Sequence, residues 1–443
     1  NALAGLIYMQ SAAPTPEWSG RVQLSAADDN AISGGVALGG PIDDTLMFRV
    51  SAHHHESDGF RSNPFLERDD TNGRNETTLR GRLRWLPNDA WQIDLATLFA
   101  DVDNGYDAFA LDNSLTMLSD KPGKDAQDSI GASLRLEYAG PNETSVTAIT
   151  TVASSDIVFS YDADWGNDSS WDPVTYDYIS VSDRERDTLS QEIRVGREDW
   201  LLGVYAMRLE DELVTVNQGD YYDPFYDFAD SLDDTFGSDY RATSVAVFGH
   251  FERELGERTR LSFGIRGEHR NTDYSDTAGL VTGPSESMWG GDVTLMHDVS
   301  GTVTGFVSLS KGYKAGGFNL GLVPDDRREF GDETMLNLEA GIKSVWLDNS
   351  LQLNAAVFVS RREDQQVRTS FQLDPGDPAS FVFFTDNAAE GDTIGLEADI
   401  RWAPAERWSL YATLGWLDAT FDRFETPQVI LNGREQAHAP SYT

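Results

Sequence analysis

Residues 337–360, NLEAGIKSVWLDNSLQLNAAVFVS, restrict what this chain can fold into more than any other stretch. Apolar and polar side chains alternate on both sides of a short polar turn. Leu336, Leu338, Ala340 and Ile342 fall on one face of the first run, and Asn337, Glu339, Gly341 and Lys343 on the other. In the second run Leu351, Leu353, Ala355, Val357 and Val359 oppose Gln352, Asn354, Ala356, Phe358 and Ser360. A period of two means extended backbone with two unlike faces. Leu347-Asp348-Asn349-Ser350 reads as the turn, because Asp and Asn tolerate turn backbone and cap it with their side chains.

The pattern recurs along the chain. Leu79, Leu83 and Trp85 alternate with Arg80, Arg82 and Arg84; Leu189, Ile193 and Val195 alternate with Ser190, Glu192 and Arg194. Leu396, Ala398, Ile400 and Trp402 alternate with Glu397, Asp399 and Arg401. About 17 such segments are expected, many near the roughly ten residues of a tilted membrane strand. Short turns such as 41–44, 87–90, 140–143, 196–199, 347–350 and 403–407 alternate with mostly long connections. The long ones are expected at about 58–75, 102–127, 157–187, 211–239, 270–286, 312–332, 363–392 and 422–440. An up-and-down barrel with short turns on one rim and long loops on the other produces that alternation.

The solvent facing the apolar side follows from what the chain lacks and what it repeats. No run of roughly 18 apolar residues is present, so no transmembrane helix is expected. A mean hydropathy of −0.42 fits a barrel in which only every second strand residue meets lipid. Trp18, Trp85, Trp91, Trp200, Trp346, Trp402 and Trp408 all sit beside the short turns or begin the first strand. Tryptophan favours the bilayer–water boundary, so these are read as a girdle on the short-turn rim. Arg80, Arg82, Arg84, Glu192, Arg194, Glu339, Lys343, Glu397, Asp399 and Arg401 would then face a wide, wet or plugged lumen. With 34 Lys+Arg against 74 Asp+Glu, the net charge is −40, which argues against a nucleic-acid partner. There is no Cys, hence neither disulfides nor a thiolate metal site.

Several of these runs resemble the TonB-dependent outer-membrane receptors of Gram-negative bacteria. The resemblance is carried by Lys311–Asn319 (KGYKAGGFN), Leu189–Val195 (LSQEIRV), 337–360, Asn387–Ala403 (NAAEGDTIGLEADIRWA), Leu410–Phe424 (LYATLGWLDATFDRF) and Ser57–Asn63 (SDGFRSN). It implies an all-β, transmembrane, antiparallel up-and-down barrel of about 22 strands. Residues 1–16 look like the C-terminal end of that family's plug domain, and 17–443 like an incomplete barrel. Nearly all of the plug, the segment that would engage the TonB energy-coupling complex, and about four last strands are expected to lie outside this chain. The implied function is energy-coupled uptake of a large scarce nutrient, with a ferric siderophore preferred. A carbohydrate or another metal chelate is the alternative cargo, and a passive porin the alternative class. The implied location is the outer membrane of a Gram-negative bacterium, with lipid, lipopolysaccharide, TonB and the ligand as partners. No cofactor is implied.

Nothing in the chain reads as catalytic, since nucleophile-elbow, HExxH and phosphate-loop motifs are missing. The stretches 161–178 and 221–228 concentrate Tyr161, Trp165, Trp171, Tyr176, Tyr178, Tyr221, Tyr222, Phe225, Tyr226 and Phe228. Rings with polar tips suit amphipathic chelates or sugars, so the first nine are ligand candidates, together with Lys311 and Lys314. Lys311, Lys314, Arg327 and Arg328 make the one clearly basic loop, fit for an anionic ligand or for lipopolysaccharide phosphates. Within His53-His54-His55 only His53 and His55 can share a strand face, and a polar rim segment is the simpler reading. Asp101, Asp103, Asp107 and Asp112 resemble a calcium loop but miss the EF-hand spacing.

Overall fold

The computed structural model describes residues 9–110, 112–320, 323–372, 381–425 and 430–443. Twenty strands are present among them. Three are two-residue pieces (Val281–Thr282, Gly317–Phe318 and Glu329–Phe330), which leaves seventeen long strands, as the periodicity predicts. Each long strand is antiparallel to the next in sequence, from Ser19–Ala26 against Ile32–Pro41 to Phe381–Ala405 against Trp408–Phe424. No ladder joins Ser19–Ala26 to Trp408–Phe424 among the described residues. Instead the segment 430–443 runs back along Trp408–Phe424. Trp416 pairs with Tyr442, Thr420 with Glu435, and Gly415 exchanges backbone hydrogen bonds with Thr443 at 3.0 and 3.1 Å.

The opening hairpin forms as its period requires. Leu338 lies opposite Val359, Glu339 opposite Phe358, and Lys343 opposite Asn354. Leu347, Asp348 and Asn349 take positive φ, and Ser350 N–H closes the turn on the Leu347 carbonyl at 3.1 Å. The two faces differ in an unusual direction. Leu338 and Val357 are 51% exposed, whereas Asn337, Glu339 and Asn354 are half-buried. The same holds around the wall: Leu79, Ile130, Leu189, Val247, Ile265, Val293, Leu309, Ile394 and Leu414 all stand exposed on the outer face. The hydrophobic cluster of the described residues is small, with Ala389, Phe421 and Phe424 packed by Val367 and Leu431. A chain of this size that turns its aliphatic side chains outward is built for lipid, because water would penalise that area heavily.

The tryptophans mark the lower edge of this belt. Trp18, Trp85, Trp91, Trp346, Trp402 and Trp408 are exposed on the outer face beside the short turns, and Trp200 is half-buried there. Trp18 lies across Gly40, where a Cβ would come within 2.6 Å of the indole, and meets Phe48 edge-on at 5.7 Å. On the inner face, rings cover glycines of the facing strand. Phe248 lies over Gly203, Phe306 over Gly341 and Phe358 over Gly395.

The strands run well past the belt. On the hairpin Trp200–Asp223/Phe228–Gly256 the outer face is apolar at Leu202, Val204, Val245 and Val247. It becomes charged at Arg208, Glu210 and Arg241, yet both strands stay paired up to Asp223 and Phe228. The long loop expected at 211–239 is therefore a connection of residues 224–227, and that at 157–187 shrinks to 163–174. Above the bilayer both strand faces meet water, so the apolar alternation stops while the backbone ladder continues.

Candidate functional site

The residues expected to face the lumen lie on the strand face opposite the exposed aliphatic side chains. Arg84 makes a two-pronged contact with Asp94 (Nε–Oδ1 2.9 Å, Nη2–Oδ2 3.1 Å), and Arg82 adds a third arm at 3.6 Å. Gln92 bridges Asp94 to Glu137, 2.8 Å on each side. Arg82 also donates to the Ser11 carbonyl at 2.6 Å, which holds the N-terminal segment against the inner wall. Glu192 pairs with Arg194. Lys343 sits over the Phe306 ring at 5.7 Å, and Arg401 over Tyr411 at 5.6 Å. Glu339, Lys343, Glu397 and Asp399 converge on one concavity of about 410 Å³, where Asn354 donates to Asp399 at 3.0 Å. Arg80 is exposed on the same face. The wall is thus a lattice of charged pairs next to water, fit to line a polar passage.

The aromatic candidates separate into two inner clusters and one tip. Tyr161 and Trp165 gather around Phe109, with Trp165 stacked on it at 5.2 Å and 18°. Tyr106 and Phe159 complete that cluster. Trp171, Tyr176, Tyr178, Tyr221 and Phe228 form the second. Tyr106, Phe159, Tyr161, Tyr176, Tyr178, Tyr221 and Phe228 lie in the strand extensions and share the strand parity of the lumen-facing residues. Tyr178 covers Gly219, where a Cβ would stand 2.3 Å from the ring. Tyr222 takes the outer parity, and its hydroxyl donates to Asp227 at 3.3 Å. Phe225 and Tyr226, at 75% and 84% exposure, cap the tallest hairpin. Phe109, Tyr106 and Phe159 carry no sequence signal of their own; strand parity identifies the last two once the extensions are known.

The basic residues do not form one patch. Lys311 lies in the strand Val303–Lys314 with its ammonium 4.1 Å from the Trp289 ring on the outer face. Lys314 ends that strand, opposite Glu333. Arg327 pairs with Asp386, and Arg328 donates to both oxygens of Asp276 at 3.1 and 3.0 Å. These contacts tie down the connection after KGYKAGGFN. Phe318 stacks on Tyr274 at 4.3 Å and 7°, and Asn319 exchanges hydrogen bonds with the Thr385 backbone at 2.6 and 2.7 Å.

His53 and His55 share a face, and His54, on the other, meets Thr77 Oγ1 at 2.9 Å. Asp101, Asp103, Asp107 and Asp112 do not converge. Lys124 pairs with Asp103 at 3.2 Å; Asn63 and Ser119 donate to Asp107 at 3.0 and 2.9 Å; Asp112 caps Ser114. An acidic group that sequence reading misses does converge: Asp120, Asp162, Asp164, Asp168 and Asp177, with Lys121 paired to Asp177. Burial and the neighbouring Asp164 push Asp162 up to about 8, and burial with Asp177 raises Asp120.

An outward apolar belt, a tryptophan edge and a charged inner face define a wall of the outer-membrane β-barrel class. The family model described as TonB dependent receptor-like, beta-barrel, matches residues 25–443, and the chain belongs to that family of Gram-negative outer-membrane receptors. The pesticin receptor of Yersinia enterocolitica is 21% identical over 435 residues, covering 92% of this chain and 59% of that receptor. The chain therefore spans about three-fifths of the length of that relative. The crystal structure of the ferric yersiniabactin uptake receptor FyuA from Yersinia pestis superposes with a TM-score of 0.75 at 17% identity, over 97% of this chain and 65% of that one. The siderophore receptor PiuA from Acinetobacter baumannii gives 0.71 at 13% identity, over 98% and 69%. At these identities the two structures speak for the fold.

Proposed function

We propose that this chain is the barrel of an outer-membrane receptor that takes up a ferric siderophore with energy supplied through TonB. The observation that carries the reading is the pair of aromatic clusters on the inner face of the strand extensions, above a charged lumen. Rings with hydroxyl and indole tips grip a flat amphipathic chelate by area and fix it by hydrogen bonds. The polar wall beneath lets a hydrated cargo pass without an apolar barrier. Siderophore receptors among its structural likenesses and the uptake receptor for ferric yersiniabactin support the same cargo class. In this reading residues 1–16 belong to the C-terminal end of the plug domain, the domain through which TonB would engage the receptor. Lipid and lipopolysaccharide surround the belt, where Lys311 stands at its upper edge. Lys314 and the inner aromatics Tyr161, Trp165, Trp171, Tyr176, Tyr178 and Tyr221 belong to the capture surface.

The test is uptake of iron-labelled siderophores by cells that carry or lack the whole receptor, under iron limitation, set against growth on candidate sugars. Loss of iron uptake without loss of sugar growth is expected. Retained iron uptake with lost sugar growth would move the cargo to carbohydrate. The double variant Tyr176→Ala/Tyr221→Ala should weaken cargo binding by roughly tenfold or more, since buried aromatic contacts carry binding energy disproportionately.

A further inference from the structure

The second aromatic cluster has a geometry that simple capture by area does not need. Tyr176, Tyr221 and Asp230 stand in one cross-strand row on the inner face of the strands Thr175–Arg197, Trp200–Asp223 and Phe228–Gly256. Neighbours in such a row have their Cβ atoms about 5 Å apart. The rings are set as walls, not as a stack. Tyr176 meets Tyr221 at 85° with centroids 6.4 Å apart, and Trp171 meets Tyr176 at 79° and 5.5 Å. Tyr178 lies at 53° to Tyr176 and over Gly219, whose missing Cβ leaves room for the ring. Phe228, 6.2 Å from Tyr221 at 58°, stands on the far side. Rings at such angles make a corner and leave π-faces open to a third group. Asp230 is exposed at the end of the row, and its Oδ1 accepts from Ser231 N–H at 2.9 Å. Among the described residues no ion pair engages Asp230, or Asp234 further down the same face. Lys121 does not serve here, because its partner Asp177 takes the outer parity of its strand.

We propose that this corner seats an alkylammonium group carried by the cargo, with Tyr176, Tyr178 and Tyr221 supplying ring faces and Asp230 the counter-charge. The inference rests on the uptake reading above and names the charge class of its ligand. Ring faces are negative and attract a cation that sheds its water easily, so an alkylammonium suits them better than a carboxylate or a bare metal ion. The adjoining carboxylate draws the same charge by Coulomb attraction. An anionic chelate meets the opposite, since the π-faces, Asp230 and Asp234 all repel it. The seat therefore sorts iron chelates by a free amine on their backbone and not by the end that binds iron.

The experiment uses de-energised cells that carry the whole receptor, so that radio-iron held at the surface reports binding alone. The probes are a ferric trihydroxamate and a ferric tricatecholate, each with a pendant primary amine and in its N-acetyl form. The free amine is expected to bind roughly fivefold or more tightly than its acetylated twin. Asp230→Asn should remove most of that preference by weakening the amine form. Tyr221→Phe should keep the preference and Tyr221→Leu should lose it, since only the first retains a ring face. Asp233→Asn, on the outer face of the same strand, should not alter it. The ratio of the two forms does not depend on how much of a variant reaches the membrane. Equal binding of amine and N-acetyl forms overturns the ammonium seat and leaves siderophore uptake standing. A preference that survives both Asp230→Asn and Tyr221→Leu does the same. If neither class of chelate is retained in any form, the siderophore reading falls and the seat falls with it.

Discussion

The same strands pass through two solvents, and their lower and upper halves obey different rules. In the belt, the outer face must be apolar and the inner face polar, so residues alternate and the sequence shows it. In the extensions, both faces meet water, and the outer positions of the tall hairpin hold Glu212, Thr235 and Asp239 as readily as Val214. The backbone ladder does not change between the halves; only the side-chain requirement does. Position along a strand therefore decides what a substitution costs, more than residue type.

The sharpest way to break that contrast is a charge on the outer face. Val247→Arg, in the belt, should cost about 2–4 kcal/mol of folding stability in lipid. Thr235→Arg, on the same face of the same strand but in the extension, should change it by less than about 0.5 kcal/mol. Urea unfolding in vesicles measures both. Equal costs would mean that the bilayer does not end near Arg208 and Arg241.

A second comparison sets inner ion pairs against outer ones. Asp94 is 4% exposed and serves Arg82, Arg84 and Gln92 at once. Asp94→Ala leaves the Arg84 guanidinium without its acceptor and Arg82 without its nearby counter-charge, and should cost about 1–3 kcal/mol, tempered by the wet lumen. Arg208→Ala, which removes an exposed pair with Glu210, should leave the unfolding midpoint where it was.

These contrasts also explain what the sequence discloses. Seventeen long strands, the tryptophan edge and the lumen-facing charges follow from alternation, because a bilayer imposes a two-sided rule on every crossing. Tyr176, Tyr178 and Tyr221 read as loop residues because no lipid-facing partner punctuates them; they are strand residues on the inner face. The acidic group stays hidden for a different reason. Asp120 and Asp177 are distant in sequence and meet only when two connections dock, which no local period records. Arg327 and Arg328 read as free basic residues, whereas Asp386 and Asp276 engage them across the wall.

A third, smaller effect separates covered glycines from open ones. A Cβ on Gly203 would stand 2.3 Å from the Phe248 ring, while one on Gly267 would meet nothing within 4 Å. Gly203→Ala should cost about 1 kcal/mol, the low end of overpacking, because the ring can tilt into the lumen. Gly267→Ala should be neutral or slightly stabilising through the unfolded chain.

The smallest effect on stability belongs to the tip. Tyr226 is 84% exposed and Phe225 75%, beyond the last paired residues of the hairpin. Tyr226→Ala should shift stability by less than about 0.5 kcal/mol, as for other exposed positions. Tyr176 makes ring contacts with Trp171, Tyr178 and Tyr221, so Tyr176→Ala should be felt in both stability and cargo binding. Measuring cargo affinity for the two single variants sharpens the division of the aromatics. If capture depends on the inner clusters, Tyr176→Ala weakens binding and Tyr226→Ala does not. If Tyr226→Ala weakens it as much, first contact occurs at the summit of the tall hairpin, and the inner clusters are packing that holds the extensions together.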